Sequence, residues 1–255
     1  MDLRIRLGNC NKHETQLSNN KLKVIYDKNN CIIESDKELV QYDFGTNKKL
    51  FFFGKIIGVK LNDTKLIGVS SKLNQQIIKS FSTYDLDQSI KKIEGRFIYI
   101  YIDGSHIHVG TDSLGQIDLY YQKDKDGLIL SSHLGLLPFV NDENIEYDQV
   151  GAAHALYIYG YRPAKKQTLY TKVKRLGVNE RIDWKDGKFS VIKMRKELLN
   201  TTEFDYIEHH DTYSNLFLDA IEKRSSPNGN IVYLSSGWDS TSILSALVHM
   251  YGANK

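Results

Sequence analysis

Ile231-Val232-Tyr233-Leu234-Ser235-Ser236-Gly237-Trp238-Asp239-Ser240-Thr241 decides how the C-terminal part of this 255-residue chain is read. Its first four residues form a continuous apolar run of the kind found in parallel strands covered on both faces. A loop of small residues follows. From Ser242 to Tyr251, Ile243, Leu244, Leu247, Val248 and Tyr251 recur at helical spacing. The pattern predicts strand, loop, helix. A helix N-terminus presents unpaired N–H groups and the positive end of the dipole, so an anion can be held there without a lysine. Small residues let backbone approach phosphate closely, and the loop hydroxyls add donors. Asp239 would repel a bare phosphate, which suits either an intervening Mg²⁺ or a capping role. The plainer alternative stays open, because Ser and Asp are good N-caps at any strand–helix junction. The loop is not a Walker loop, since no Gly-Lys-Ser or Gly-Lys-Thr occurs, and it is not a dinucleotide fingerprint.

Upstream, Ser225 to Asn230 is a break. Before it, Asp205 to Arg224 carries Tyr206, Tyr213, Phe217, Ala220 and Ile221 on one helical side, and Thr202 with Asp205 resembles a capping box. A domain boundary is placed near Asn200. From Met1 to about Asp186 the chain reads as short antiparallel strands between turn signals. Phe97 to Ile102 is entered through Glu94-Gly95-Arg96 and left through Asp103-Gly104-Ser105, with Ile107 to Thr111 as the returning strand. Asp126-Gly127 and Asp186-Gly187 repeat the device. Asn74 to Phe81 is an ambiguous helix; Asp148 to Tyr159 places Val150, Ala153, Leu156 and Tyr157 on one predicted helix face.

Composition narrows the classes. The chain is 41% hydrophobic and 25% charged with three prolines, which excludes collagen, coiled coil and disorder as the main state. Its 34 basic and 31 acidic residues are interspersed, so no nucleic-acid partner is expected. No apolar run is long enough for a membrane span, and the start has no apolar leader. Two cysteines, Cys10 and Cys31, make neither a disulfide framework nor a zinc cage. A cytoplasmic location is the expectation.

Leu234 to Thr241 resembles the pyrophosphatase loop, Ser-Gly-Gly-x-Asp-Ser, of the asparagine synthetases and their relatives. Gly95-Arg96-Phe97, Thr111-Asp112-Ser113-Leu114-Gly115 with Leu119-Tyr120-Tyr121, Ser132-His133-Leu134, and Thr168-Leu169-Tyr170 with Lys174-Arg175-Leu176 look like consecutive landmarks of that family's N-terminal domain. The resemblance implies two modules. Residues 1–200 would be a glutamine amidotransferase type 2-like α+β domain, a four-layer αββα fold of the N-terminal-nucleophile hydrolase type. Residues 201–255 would begin an α/β adenine-nucleotide α-hydrolase-like domain that binds ATP and Mg²⁺, adenylates a carboxylate and lets an amine attack the acyl adenylate. By that analogy Leu234 touches adenine, Ser235, Ser236, Gly237, Asp239 and Ser240 hold pyrophosphate, and Asp239 assists the metal.

The chain also departs from the family. Glutamine hydrolysis there needs a thiol with its own free α-amino group as base, and the residue after Met1 is Asp2. Cys10 and Cys31 lie inside the chain and read as ordinary small buried or half-buried residues. Phe53-Gly54-Lys55-Ile56-Ile57-Gly58 keeps only the Gly and first Ile of the glutamine-cradling segment. No counterpart of the acidic amino-group ligand is evident, although Asp85 and Asp87 lie nearby. Loss of glutaminase activity is therefore expected. Ser236 stands where the loop has its first Gly, which asks whether φ is positive there. The family's remaining ATP contacts and its acceptor site would come from further sequence or a second chain, unless the protein is a remnant. An ATP-dependent amide-forming ligase is one reading, with a carboxylate substrate and an amine donor as partners. A non-catalytic scaffold holding a peptide or partner subunit is the other.

Other candidates are weaker. His106 and His108 share a strand face near Asp103 and Asp112, and His209-His210 are adjacent on a helix; neither pair offers three or four ligands at tetrahedral spacing. Trp238 is read as packing against a neighbour rather than stacking on a base. Lys165-Lys166 and Lys172 to Arg175 read as a solvated basic loop.

Overall fold

The computed structural model describes residues 2–10, 22–45, 47–62, 65–68, 77, 81, 85–124, 127–141, 145–158, 166–194 and 206–253. Two antiparallel sheets form a sandwich. The six-stranded sheet contains β1 (Leu3–Gly8), β2 (Lys23–Lys28), β3 (Cys31–Ser35), β9 (Tyr120–Lys123), β10 (Gly127–Ser131) and β11 (Val173–Arg175), in the order β11-β9-β10-β1-β3-β2. The seven-stranded sheet contains β4 (Val40–Asp43), β5 (Lys48–Asn62), β6 (Lys65–Gly68), β7 (Ile93–Asp103), β8 (His106–Thr111), β12 (Glu180–Lys185) and β13 (Lys188–Lys193). Its order is β13-β12-β8-β7-β5-β4, with β6 also paired to β5.

Alternation along the strands builds the core between the sheets. Leu3, Ile5 and Leu7 of β1 face Phe51, Phe53, Ile98, Ile100, Ile107, Val109 and Ile182 of the other sheet, all essentially buried. β7 is apolar on both faces because it is covered on both. Phe97 and Tyr99 point outward into a second cluster with Phe52, Ile77 and Ile90. Helix α1 (Leu86–Lys92) covers that side, started by Asp85, whose carboxylate accepts the Gln88 N–H at 2.8 Å.

The tight turns follow the predicted chemistry. Gly104 joins β7 to β8 at φ 61°, and Asp186 and Gly187 join β12 to β13 at φ 50° and 76°, the primed turn that matches strand twist. The helical layers are thinner than the four-layer expectation. Among the described residues α1 covers one sheet, and short 3₁₀ turns with α2 (Gln149–Ala153) lie on the other side. The apolar helix face expected from Asp148 to Tyr159 is also corrected. After five residues α2 widens into a π turn over His154–Ile158, and it is Gly151 and Ala155 that are buried, while Val150, Leu156 and Tyr157 are exposed. The Asn74 to Phe81 helix falls mostly outside the described residues; residues 77 and 81 are helical.

Helices α3 (Tyr206–Arg224) and α4 (Trp238–Tyr251) form the C-terminal part and pack on each other. Tyr251 Oη and Ser225 Oγ meet at 2.9 Å, and Arg224 donates to Glu94 of β7 at 2.6 Å. The boundary near Asn200 and the Thr202–Asp205 box lie outside the described residues. Ile231–Leu234 corrects the strand expectation. The segment is not in a sheet, and Ile231, Tyr233 and Leu234 are 86%, 88% and 60% exposed. A parallel strand exists only with a neighbour to bond, and the described residues supply none. The described residues thus form one α+β sandwich with two further helices, and no parallel sheet.

Candidate functional site

The loop before α4 is held by its own serines. Ser240 Oγ accepts the Ser235 N–H at 3.1 Å and lies 3.2 Å from Ser235 Oγ, while the Gly237 N–H donates to the Ser235 carbonyl. Ser240 and Thr241 hydroxyls return to the Gly237 carbonyl at 3.2 and 3.0 Å. Gly237 is the N-cap with φ −94° and no side-chain cap bond. The first intrahelical backbone bond is Thr241 N–H to Gly237 O. The N–H groups of Trp238, Asp239 and Ser240 therefore have no partner among the described residues and open toward solvent at the positive end of a 14-residue helix.

Ser236 is not in the left-handed region, so serine in place of glycine carries no backbone strain here. A Cβ on Gly237 would approach nothing of the protein closer than 3.4 Å. Trp238 is 89% exposed, which corrects the expectation that it packs. It borders a groove of about 580 Å³ with Tyr213, Phe217, Asp239, Ser242 and His249. Loop amides, Asp239 and an aromatic surface therefore share one open face. Leu234 sits just before the loop, exposed.

The sandwich holds a second cleft of about 670 Å³, lined by Gly54, Lys55, Arg96, Asp118, Ser132 and His133 among others. Gly54, φ 118°, lies so close to the Arg96 carbonyl that an added Cβ would be 2.3 Å from it. That close approach explains why the glycine stands in Phe53-Gly54-Lys55. Other landmark residues, in the cleft and away from it, are tied up structurally. Ser132 Oγ accepts the Leu3 N–H, Asp112 is buried and accepts the N–H groups of Leu114 and Gln116, and Thr168 donates to the Val173 carbonyl. Asp85 is a helix cap and Asp87 pairs with Arg181, so neither is available to an amino group. Asp2 donates its backbone N–H to Asp36 at 2.9 Å.

The cysteines take the plain reading. Burial pushes the Cys10 thiol up to about 11 and Cys31 up to about 12, the opposite of an activated nucleophile. The described part of the basic stretch is solvated and ion-paired at once: Lys166, 63% exposed, meets Glu180, Lys174, 42% exposed, meets Asp148 at 3.4 Å, and Arg175 meets Asp118 at 3.3 Å, while Lys165 lies outside the described residues.

The His106–His108 pair gains a residue that sequence reading missed. Asp183 arrives from β12, directly opposite His108 in register, with Oδ1 2.8 Å from His108 Nδ1. Burial alone would raise the Asp183 carboxyl, but the hydrogen bonds from His108 and Arg181 outweigh it and hold the group at about 2. A separation of 75 residues gives such a pairing no local signal; only the strand order creates it.

Sequence comparison finds no matching family and no matching curated protein. Among solved structures the chain is similar to glutamine phosphoribosylpyrophosphate amidotransferase from B. subtilis complexed with ADP and GMP, at 11% identity and TM-score 0.37. A structure of the allosteric regulatory enzyme of purine biosynthesis is similar at 9% identity and TM-score 0.38. Each likeness covers 64% of this chain and 35% of the other, so the chain spans about a third of the length of the structures it matches. At these values the likeness is a weak one to the glutamine amidotransferase fold.

Proposed function

We propose that the loop Leu234–Ser240 binds the phosphates of ATP with Mg²⁺ and that the chain is part of an asparagine synthetase-like, ATP-dependent amide-forming ligase whose glutaminase half is inactive. The observation that carries this reading is the open set of Trp238, Asp239 and Ser240 amides on a loop that Ser235 and Ser240 lock from within. Ser235, Ser236 and Ser240 supply donors to the pyrophosphate, and Gly237, whose own N–H goes to the Ser235 carbonyl, leaves it room to approach. Asp239, exposed at the helix start, takes the Mg²⁺ side, and Leu234 lies against adenine. In the reaction a carboxylate oxygen attacks the α-phosphorus, pyrophosphate leaves, an amine attacks the acyl carbon, and AMP leaves. Release of ammonia from glutamine is no part of this reading, because burial raises both the Cys10 and Cys31 thiols, the opposite of an activated nucleophile. Two helices and a loop cannot by themselves hold two substrates at reacting distance, so this reading requires acceptor groups besides those of the loop.

Titration of the full chain with ATP and Mg²⁺ tests this. Saturable binding that Asp239→Ala abolishes is the expected result; no binding by calorimetry overturns it. Incubation with glutamine is expected to release no glutamate. One observation favours a scaffold instead: the bare backbone of Ile231–Leu234 is suited to strand addition by a partner. Peptide or subunit binding without any nucleotide response selects that reading.

A further inference from the structure

The outer face of the seven-stranded sheet carries a cluster unrelated to the loop. On β8, His106 and His108 are two residues apart and so project from the same face, their ring centroids 4.3 Å apart. Asp183 joins them across the β8–β12 ladder. One ligand atom from each of the three lies within 4.8 Å of the other two. All three side chains are half-buried, so a bound ion would be partly shielded from bulk water yet reachable. In tetrahedral coordination at the usual Zn–N and Zn–O lengths, donor atoms stand about 3.3 Å apart, so small rotamer adjustments bring this trio to bonding geometry.

We propose that His106, His108 and Asp183 form a binding site for a single divalent metal ion of the zinc class. Two imidazoles and one carboxylate are a borderline donor set that suits zinc, nickel or copper and not magnesium or calcium. Three protein ligands leave a fourth position for water or a substrate atom.

The surroundings support the site. Arg181 also holds Asp183, through Nε on Oδ1, the oxygen that faces His108, at 2.6 Å and through NH2 on Oδ2 at 3.2 Å, and itself reaches Asp87 of α1, so the carboxylate is oriented before any ion arrives. The metal takes the place of the proton that His108 Nδ1 shares with Asp183 Oδ1, and that proton passes to solvent. Tyr99 Oη, buried and without a hydrogen-bond partner among the described residues, lies against Gly110, the residue two along from His108. The opposing consideration is the Arg181 charge, which weakens the ion's attraction; its second partner, Asp87, offsets part of that charge.

The test is a Zn²⁺ titration of the full chain against a chromophoric chelator, with Co²⁺ absorption as a spectroscopic reporter. One equivalent is expected to bind, with a Co²⁺ spectrum of low-coordinate nitrogen–oxygen type and a rise in melting temperature. His106→Gln and His108→Gln are each expected to weaken binding by more than about tenfold, while a His209→Gln/His210→Gln double variant binds as the parent does. Circular dichroism of each variant checks the fold; because Asp183 also anchors Arg181, the His106→Gln result decides should Asp183→Asn fail to fold. Absence of a stoichiometric site, or a site lost with His209 and His210 and kept without His106, overturns the proposal and leaves the trio an ion-pair network. Neither result bears on ATP binding by the loop, which is measured separately with Mg²⁺.

Discussion

Ser240 clasps Ser235 across five residues of chain, its hydroxyl oxygen accepting the Ser235 amide at 3.1 Å and standing 3.2 Å from the Ser235 hydroxyl. The clasp fixes the loop while leaving the helix amides beyond it unused. Ser240→Ala removes both contacts at an exposed position. ATP·Mg affinity is expected to fall about tenfold, with a change in unfolding free energy below about 1 kcal/mol. Calorimetry and thermal melting on the same samples check the pair of outcomes.

Gly237 gives a complementary prediction. With φ −94° and no protein atom within 3.4 Å of an added Cβ, alanine fits the ligand-free loop. Stability is expected to change by less than about 1 kcal/mol, since the unfolded-state gain offsets the poorer cap. Nucleotide affinity is expected to drop, because the methyl group occupies the approach of the phosphate. Unchanged ATP binding in Gly237→Ala counts against phosphate contact at this residue.

Glu34 holds two buried arginines at once, Arg4 through Nε at 2.8 Å and NH2 at 3.0 Å, and Arg6 through NH2 at 3.2 Å. Glu34→Ala removes the carboxylate that both buried guanidinium groups share. A loss of about 3–5 kcal/mol in urea unfolding is expected, the usual penalty for removing one partner of a buried ion pair.

Gly110 lies under the Tyr99 ring, and a Cβ there would stand 2.7 Å from Cε1, Cζ and Oη of that fully buried side chain. Because the ring is packed on all sides it cannot swing away. Gly110→Ala is expected to destabilise the sandwich by about 1–3 kcal/mol, read from denaturant midpoints.

The thiols supply a pH prediction. Both fold with their proton retained, pushed from the ordinary 9.0 to about 11 for Cys10 and about 12 for Cys31 by burial. The unfolded chain therefore loses these protons first as pH rises. The stability they contribute is complete below pH 9.0 and is lost as pH climbs through 11 and 12. Iodoacetamide at pH 8 is expected to modify neither at the rate of a free thiol until denaturant is added; rapid native labelling of Cys31 contradicts this.

Much of the sandwich was legible locally. Asp103-Gly104 and Asp186-Gly187 announce turns because only a few residue types tolerate the backbone angles found there, and the apolar run Phe97 to Ile102 reads as a half or fully buried strand, of which the second holds for β7. The α4 helix was legible from the helical spacing of Ile243, Leu244, Leu247, Val248 and Tyr251, although its N-cap, Gly237, makes no side-chain cap bond. What sequence could not reveal was pairing. Ile231–Leu234 looks like a central strand, yet its apolar run encodes only a willingness to be covered and not the neighbour that covers it. β5 runs through Gly54 and Gly58, which read as interruptions, because its β7 partner holds the ladder together across a bulge. Asp183 escaped notice because register, not spacing, carries it to His108.

Ile231, Tyr233 and Leu234 leave greasy side chains in one short ribbon, beside amides and carbonyls that have no backbone partner among the described residues. A ribbon of this type is adhesive to its own kind. Handling of the isolated polypeptide will be governed by that tape: turbidity will rise steeply with protein concentration, and a lysine at Tyr233 will keep preparations clear.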